Sequence, residues 1–412
     1  MLKTLSQTKA SWLERLVHPS LIKKFILNLP FKHIQTGSIT LSLYGETHRF
    51  EGKESGRHAE LAIHNPLRTY WLLKTQGELG FAQAYFEHAL DTHSLYQLMH
   101  LASDNQAVFN KLLSNKALNL WQLWQHRSRH NSVQNSRKNI SYHYDLGNDF
   151  YSRWLDNTMS YSSAIFDNEH TTLEAAQHRK YQRLLDALRI EEGDKLLEIG
   201  CGWGGLMEAA LKRGAHVKGL TLSEEQQKYA IQRLESQADE SHFEVALQDY
   251  RHEAQQYDHI VSIEMFEAVG KEYWHSYFEQ LQNCLKPHGK AALQIITIDE
   301  SVADSYQADV DFIQTYIFPG GLLPSLTQLR NLATQHGFWV DDVYAFGQDY
   351  AKTCQLWKHD FNQQGEMLQN MGFDRKFQKM WNYYLDYCTV GFETGRISVH
   401  QLVLSKMTPE SK

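Results

Sequence analysis

The chain is poor in cysteine, lacks any long apolar run and shows no metal-ligand spacing. Its four cysteines, Cys201, Cys284, Cys354 and Cys388, include no C-x-x-C pair, so neither a disulfide framework nor a zinc knuckle is expected. They read as reduced thiols in a cytoplasm. No set of His, Cys and carboxylates has the spacing of a metal site, so no metal is expected. No apolar stretch approaches the ~18 residues of a membrane span, and the first residues do not read as a signal peptide. If a membrane matters, the protein should meet it from outside. A formal net charge of −7 argues against a general nucleic-acid binder. Internal repeats and low-complexity segments are also missing. What remains, 412 residues with 42% apolar and 22% charged content, is ordinary folded-protein composition and enough for two or three domains.

Residues 1–30 have a weakly amphipathic helical pattern, with Trp12, Leu16, Leu21, Phe25 and Ile26 at near-helical spacing beside Lys23 and Lys24. Core packing is the plain reading and attachment to a lipid surface the sharper one. "GSITLSLYG" and "HAELAIH" alternate as strands do, and "PLRTYWLLKTQGELGFAQAYFEHAL" turns helical. These features predict a small α+β domain over 1–125, followed by a polar linker over 126–140. Between Asn105 and Tyr144 lie six cations, Lys111, Lys116, Arg127, Arg129, Arg137 and Lys138, and no acid. Such a stretch is either a solvated face or a phosphate-facing patch.

From Lys195 the rhythm changes. "KLLEIG", "HVKGLTL", "FEVALQ", "HIVSIEMF" and "KAALQIITI" read as strands separated by helical stretches, with "FWVDDVYAFG" and "SVHQLVLS" as later strands. This alternation predicts a doubly wound α/β sheet covered on both faces. "LLEIGCGWGGL" ends the first strand with Glu198, then Gly200, Gly202, Gly204 and Gly205. Glycines let the backbone turn sharply and approach a ligand closely. Dinucleotide sites share such a loop. The acid two residues before the first glycine, with no third glycine at dinucleotide spacing, resembles the S-adenosylmethionine loop of class I methyltransferases. The usual acid after the second strand is replaced by Leu220, Thr221 and Leu222, so Thr221 and Gln226 would take up its polar contacts.

Six further blocks sharpen the resemblance: "SYHYDLGNDFYSRWLDNTMSYSSAIF", "GLTLSEEQ", "MFEAVG", "YIFPGGLLPS", "FGQDYAKTCQLW" and "YCTVGFETGRI", in that order. Together they resemble the cyclopropane-fatty-acyl-phospholipid synthase family, which includes mycolic acid cyclopropane synthases. The resemblance implies a Rossmann-like seven-stranded methyltransferase domain over 141–408 with a helical lid, preceded by a small lipid-associated domain. It implies methyl transfer from S-adenosylmethionine to a cis double bond of a phospholipid acyl chain, then proton loss from a carbocation to close a cyclopropane ring. Residues matching the family's cofactor site are Tyr161, Ser162, Gly200, Gly202, Thr221, Leu222, Gln226, Asp249 and Tyr250. The family's base is usually a bound bicarbonate. Its cradle maps here onto Glu267, Tyr350, Gln294, Ser163 and Ile296. The resemblance also implies a cytoplasmic enzyme held peripherally at the inner face of the membrane, with a homodimer as its suggested assembly.

Two positions depart from the family. Its Cys is Ser163, which preserves a backbone N–H, and its His is Gln294, which hydrogen-bonds an oxyanion but carries no charge. Three outcomes therefore stay open: bicarbonate held by Glu267, Gln294 and Tyr350; Glu267 itself as base; or loss of a different proton, giving a methyl-branched or methylene fatty acid. Glu264 and Ala268 also differ from the commoner small residue and His, and mark a subfamily. Glu264 is either structural or cofactor-facing. His143, Tyr144 and Asp145 either cap a helix or line the lid. Phe318 and Pro319 are candidates for contact with lipid, and the helical aromatics from Trp357 to Tyr387 are either core or the lining of a lipid tunnel. A catalytically dead lipid-binding protein is the reading from another class; the glycine loop, Glu267 and Tyr350 argue against it. The basic stretch should confer salt-sensitive binding to anionic vesicles. Charge reversal at Arg127, Arg129 and Lys138 should weaken vesicle co-sedimentation, and unchanged binding would refute the patch.

Overall fold

The computed structural model describes residues 30–113 and 146–407. The helical pattern before Pro30, the linker, most of the basic stretch and His143–Asp145 lie outside the described residues. The chain divides into two compact units. One comprises 1–124 with 365–390, the other 125–364 with 391–412. The aromatics expected as one set are thus divided: Trp357 and Phe361 belong to the second unit, Trp381, Tyr383, Tyr384 and Tyr387 to the first.

The first unit is α+β. Strands β1 (Thr36–Leu43), β2 (Glu46–Glu51), β3 (Glu54–Ile63) and β4 (Leu90–Asp91) form a sheet in the order β2-β1-β3-β4. The helix Pro66–Phe86 starts on the Asn65 cap and is interrupted at Gly77, whose φ of 57° and ψ of −125° break the helical ladder. Buried Asn105 ties a helix end to β1: its Oδ1 accepts from the Gln35 and Thr36 amides at 2.7 and 3.2 Å. Its Nδ2 donates to Thr36 O at 2.8 Å. Tyr383 packs edge-on against Phe86 at 5.6 Å, which places residues 365–390 in this core.

The second unit carries the predicted sheet. Its strands are β5 (Lys195–Ile199), β6 (His216–Thr221), β7 (Phe243–Leu247), β8 (Tyr257–Ile263), β9 (Leu285–Ile298), β10 (Phe338–Ala345) and β11 (Ile397–Lys406), ordered β10-β11-β9-β8-β5-β6-β7. The pairs among β5 to β9 are parallel, whereas β11 runs antiparallel to both β9 and β10. The apolar run at 257–263 is the fourth strand of this sheet in chain order. The central strands β5, β8 and β9 read as near-continuous apolar runs because both faces are covered there, whereas the edge strands β7 and β10 are more exposed. Leu197, Ile260 and Leu293 enter one core layer with Tyr277, Phe278 and Leu329. Their neighbours Leu196, Val261 and Ala292 enter the other with Leu184, Leu185 and Met207. This is the period of two that a strand imposes.

Gly219, in β6, sits where the second layer is tightest. A Cβ there would lie 2.4 Å from Met207 Sδ and 2.8 Å from Cys201 Cβ. Gly219→Ala should therefore destabilise the protein by about 1–3 kcal/mol, the usual cost of overpacking. A lowered denaturant midpoint with unchanged slope would show it; an unchanged midpoint would mean that the loop after β5 yields freely.

Candidate active site

The site begins where β5 ends. Gly200, Gly202 and Gly204 all have positive φ, at 85°, 52° and 82°, a conformation that L side chains resist. The turn lets the Gly200 and Cys201 amides donate to Leu220 O at 3.0 and 2.9 Å, which locks the loop to the end of β6. A Cβ on Gly202 would meet nothing within 4 Å, whereas one on Gly204 would press on Ala230 at 3.2 Å. The loop thus leaves room on one side and packs on the other. Glu198 is buried and its Oε2 has no hydrogen-bond partner among the described residues. Burial pushes its carboxyl well above the ordinary carboxylate range. An orphaned buried acceptor beside open backbone fits a ligand that brings hydroxyl or ammonium donors, as S-adenosylmethionine does.

The other predicted cofactor residues stand around this loop. Thr221 Oγ1 donates to Gln226 Oε1 at 2.9 Å, both side chains being buried, with Leu222 half-buried between them. Asp249 follows β7 and is buried. Its carboxylate accepts from Arg251 Nε and Nη2 at 2.8 and 2.6 Å. Burial works against its charge, but the hydrogen bonds from Arg251 prevail and hold the carboxyl below its usual range. Tyr250 is buried edge-on against Tyr277 at 5.4 Å. Asn148 clamps the lid segment: its Oδ1 accepts from Trp203 Nε1 at 2.7 Å and its Nδ2 donates to Glu225 O at 3.2 Å. Tyr161 joins an aromatic wall with Tyr151, Trp154, Trp357 and Phe318, at 5.3, 5.5, 5.3 and 6.4 Å between ring centroids. Ser162 Oγ accepts from Lys180 Nζ at 2.7 Å, and that lysine is fully buried. Burial lowers the Lys180 ammonium to about 8, against the opposing pull of Glu264.

Beyond β8 the backbone turns at Glu264, a non-glycine residue with φ of 50°. This left-handed conformation, uncommon for a glutamate, aims the carboxylate into the interior. Glu264 Oε1 accepts from the Ser163 amide at 2.9 Å and from Gln294 Nε2 at 2.7 Å. Glu264 Oε2 accepts from the Tyr350 hydroxyl at 2.5 Å. Gln294 is oriented from behind. Gln401 Nε2 donates to its Oε1 at 3.0 Å, and Gln401 Oε1 accepts from Arg183 Nη1, also at 3.0 Å. Arginine only donates and a carboxylate only accepts, so this chain has one self-consistent direction. Glu267 lies one short helical turn further on. Its Oε1 accepts from the Ile296 amide at 2.5 Å, and its buried Oε2 atom has no hydrogen-bond partner among the described residues.

The five residues expected at the catalytic centre, Ser163, Glu267, Gln294, Ile296 and Tyr350, therefore assemble in one place, but not around one group. Ile296 serves Glu267, while Ser163, Gln294 and Tyr350 converge on Glu264, which the sequence left unassigned. The only signal in the sequence was a glutamate where the family commonly has a small residue. Burial raises the Glu264 carboxyl, and the three donors together with Lys180 oppose that rise. Burial and the charge of Glu264 raise Glu267 further, to about 8. The donors expected to hold bicarbonate are engaged by a side chain of the protein itself, and a second anion beside Glu264 would meet like charge. The residues present do not fit a bound bicarbonate alongside Glu264. Among the described residues, one surface group in the first unit, His64, His88 and Asp91, has metal-ligand proximity. Lys379 donates to that aspartate at 3.1 Å and so already neutralises it.

The family model for mycolic acid cyclopropane synthetase matches residues 131–402. The chain belongs to this family. It is 36% identical over 370 residues to a tuberculostearic acid methyltransferase of Mycobacterium tuberculosis, covering 87% of this chain and 86% of that one. It is 38% identical over 266 residues to the cyclopropane-fatty-acyl-phospholipid synthase of Escherichia coli, covering 64% of this chain and 66% of that one. The crystal structure of a mycolic acid cyclopropane synthase complexed with SAH and CTAB superposes with a TM-score of 0.62 at 32% identity, covering 66% of this chain and 98% of that one. The chain is thus of the S-adenosylmethionine-dependent methyltransferase type, and the expected fold class holds.

Glu267 links the site to pH. Its carboxyl titrates at about 8 in the folded protein against an ordinary 4.5. The folded state therefore keeps the proton longer, and stability present below pH 4.5 is lost as pH rises through 8. Glu267→Gln should remove this loss. The melting temperature of the variant relative to the parent should rise between pH 5.5 and pH 8.5, conditions chosen to span about the titration range. A difference that stays constant would mean that Glu267 ionises normally.

Proposed function

We propose that this chain transfers the methyl group of S-adenosylmethionine to the cis double bond of an unsaturated acyl chain in a membrane phospholipid and closes a cyclopropane ring. The observation that carries this reading is the pair of half-buried carboxyl groups, Glu264 and Glu267, at the end of β8. Met265 between them lies against the glycine loop, where a Cβ on Gly200 would meet it at 3.0 Å. When bound, the cofactor supplies an electrophilic methyl group. An alkene has no proton to lose before it attacks, so its methylation needs no base at the outset. The reaction requires a site that tolerates a carbocation and removes a proton afterwards, with no water to trap the cation. Buried negative charge and aromatic faces meet the first need. The wall of Tyr161, Trp154 and Trp357 meets the last. Phe318 and Pro319 border the same region, since the Leu322 amide of that turn donates to Glu267 O at 2.8 Å.

A second reading, a methylene or methyl-branched product, is favoured by the 36% identity that extends over 87% of this chain to the tuberculostearic acid methyltransferase. The two readings share the substrate class and differ in the fate of the cation. We assign the first unit to the lipid surface as a peripheral contact at the inner face of the membrane. Among the described residues no helix is long and apolar enough to cross a membrane, and Tyr44 and Trp71 of that unit are 49% and 51% exposed. Such rings suit a membrane interface. A homodimer remains part of the proposal on the family resemblance alone.

Incubation with S-adenosylmethionine and vesicles of a dioleoyl phospholipid, followed by mass spectrometry of the fatty acid methyl esters, tests the reading. The expected product is the cyclopropane acid, heavier than oleate by a CH2 group. An exocyclic methylene or a methyl branch would establish the second reading. No mass gain on any acyl chain would overturn both.

A further inference from the structure

The cradle that ought to receive an anion is filled by the protein's own carboxylate. We infer that Glu264 is the resident general base of this enzyme and replaces a bound bicarbonate; the inference rests on the methyltransferase reading above. Three independent features of the site support it.

First, all three donors that face the centre converge on one side chain. The Ser163 amide, the Gln294 amide group and the Tyr350 hydroxyl come from the lid segment, from β9 and from the helix Gly347–Gln363. A carboxylate carries the same pair of charge-sharing oxygens as bicarbonate, so donors arranged for one suit the other. Second, the backbone is bent to deliver it. Glu264 has φ of 50°, and such left-handed non-glycine residues cluster where the surrounding structure holds them for a purpose. A glutamate serving only to fill space could sit at ordinary φ. Third, the polarity of the surroundings requires an acceptor at this place. The run Arg183, Gln401, Gln294 ends on Glu264 and has no alternative direction. A neutral group without lone pairs would take from the buried Gln294 amide group its short 2.7 Å acceptor and leave it only Ser163 O at 3.4 Å, which is costly.

The chemical step balances without a co-reactant. Once the methyl group is on the acyl chain, one adjacent carbon is cationic. A Glu264 oxygen takes a proton from the new methyl group, and the electron pair of that C–H bond forms the third carbon–carbon bond of the ring. The carbocation is discharged, Glu264 becomes a neutral acid, and solvent reclaims the proton after the lipid leaves. Neutral Glu267 beside it, its Oε1 held by the Ile296 amide, keeps a second negative charge away from the base.

Two measurements test this. The first uses the unmodified enzyme with dioleoyl phospholipid vesicles in buffer stripped of carbon dioxide. Turnover should be unchanged when bicarbonate is restored. A loss of most turnover on stripping, recovered with bicarbonate, would overturn the inference even though the methyltransferase reading stood. The second uses Glu264→Gly, which suits the positive φ and empties the cradle. SAH binding by calorimetry should be retained, turnover should fall about 100-fold or more, and millimolar bicarbonate or formate should restore about tenfold of it. A variant that binds SAH and keeps full turnover in stripped buffer would refute the base role, and so would one that binds SAH and is rescued by neither anion. If Glu264→Gly does not fold, the bicarbonate response of the unmodified enzyme decides alone. Absence of methylated lipid from the unmodified enzyme is a different outcome, which removes the functional reading itself.

Discussion

The second unit is organised around one half-buried carboxylate, Glu264. This side chain is largely withdrawn from solvent, so the protein supplies donors from three elements far apart in the chain: the lid segment, β9 and the helix Gly347–Gln363. An isolated carboxylate in such a place would cost several kcal/mol, about the range for an unsatisfied buried polar group or more. Holding it ionised therefore constrains the position of each donor. The lid must come close enough for the Ser163 amide, β9 must present Gln294 inward, and Tyr350 must reach across from its helix. Tyr350 is itself fixed by stacking on Phe392 at 4.3 Å.

Charge around this centre is distributed rather than paired. Among the described residues Lys180 is buried without a direct ion pair, donating to Ser162 Oγ and Gln177 Oε1 at 2.7 and 2.6 Å. It offsets Glu264 and Glu198 through space and anchors the same lid segment that carries Tyr161. Arg183, one helical turn further, reaches the centre only through two glutamine amides. Two cations on one face of the helix Leu173–Leu188 thus support the site without entering it. This explains how an amide at Gln294 serves where the family has histidine. Its donor is aimed by Gln401, so it needs no charge of its own to grip a carboxylate.

The glycine loop and the carboxylate centre are coupled by the sheet. β5 and β8 are parallel neighbours, and Ser262 Oγ donates to Ile199 O at 3.0 Å just before the two chains diverge. Their ends therefore open side by side. In an open parallel sheet this carboxyl edge is the place where ligands bind. Proximity of the glycine loop and the carboxylate centre follows from strand order, and Met265 packed against Gly200 adds a direct contact between them.

Much of this was legible in the sequence. The central strands β5, β8 and β9 were readable as apolar runs because a sheet covered on both faces needs such runs, the edge strands β7 and β10 were readable by their β-branched and aromatic residues, and the glycines after Glu198 announced a sharp loop because glycine tolerates that turn. Ser163, Gln294, Ile296 and Tyr350 were found by resemblance to the family's sequence blocks, and the structure brings them together. The direction of β11, antiparallel to β9, was not legible, because strand composition carries no information about pairing direction. The placement of 365–390 with the first unit was not legible either, since the same aromatics would serve either core. Above all, the sequence offered Glu264 and Glu267 as two acids three residues apart and favoured the wrong one as the focus of the donors. Spacing does not reveal a left-handed backbone. Only the tertiary structure, by turning the chain at Glu264 and closing the lid, β9 and a distant tyrosine around it, decided which carboxylate occupies the cradle.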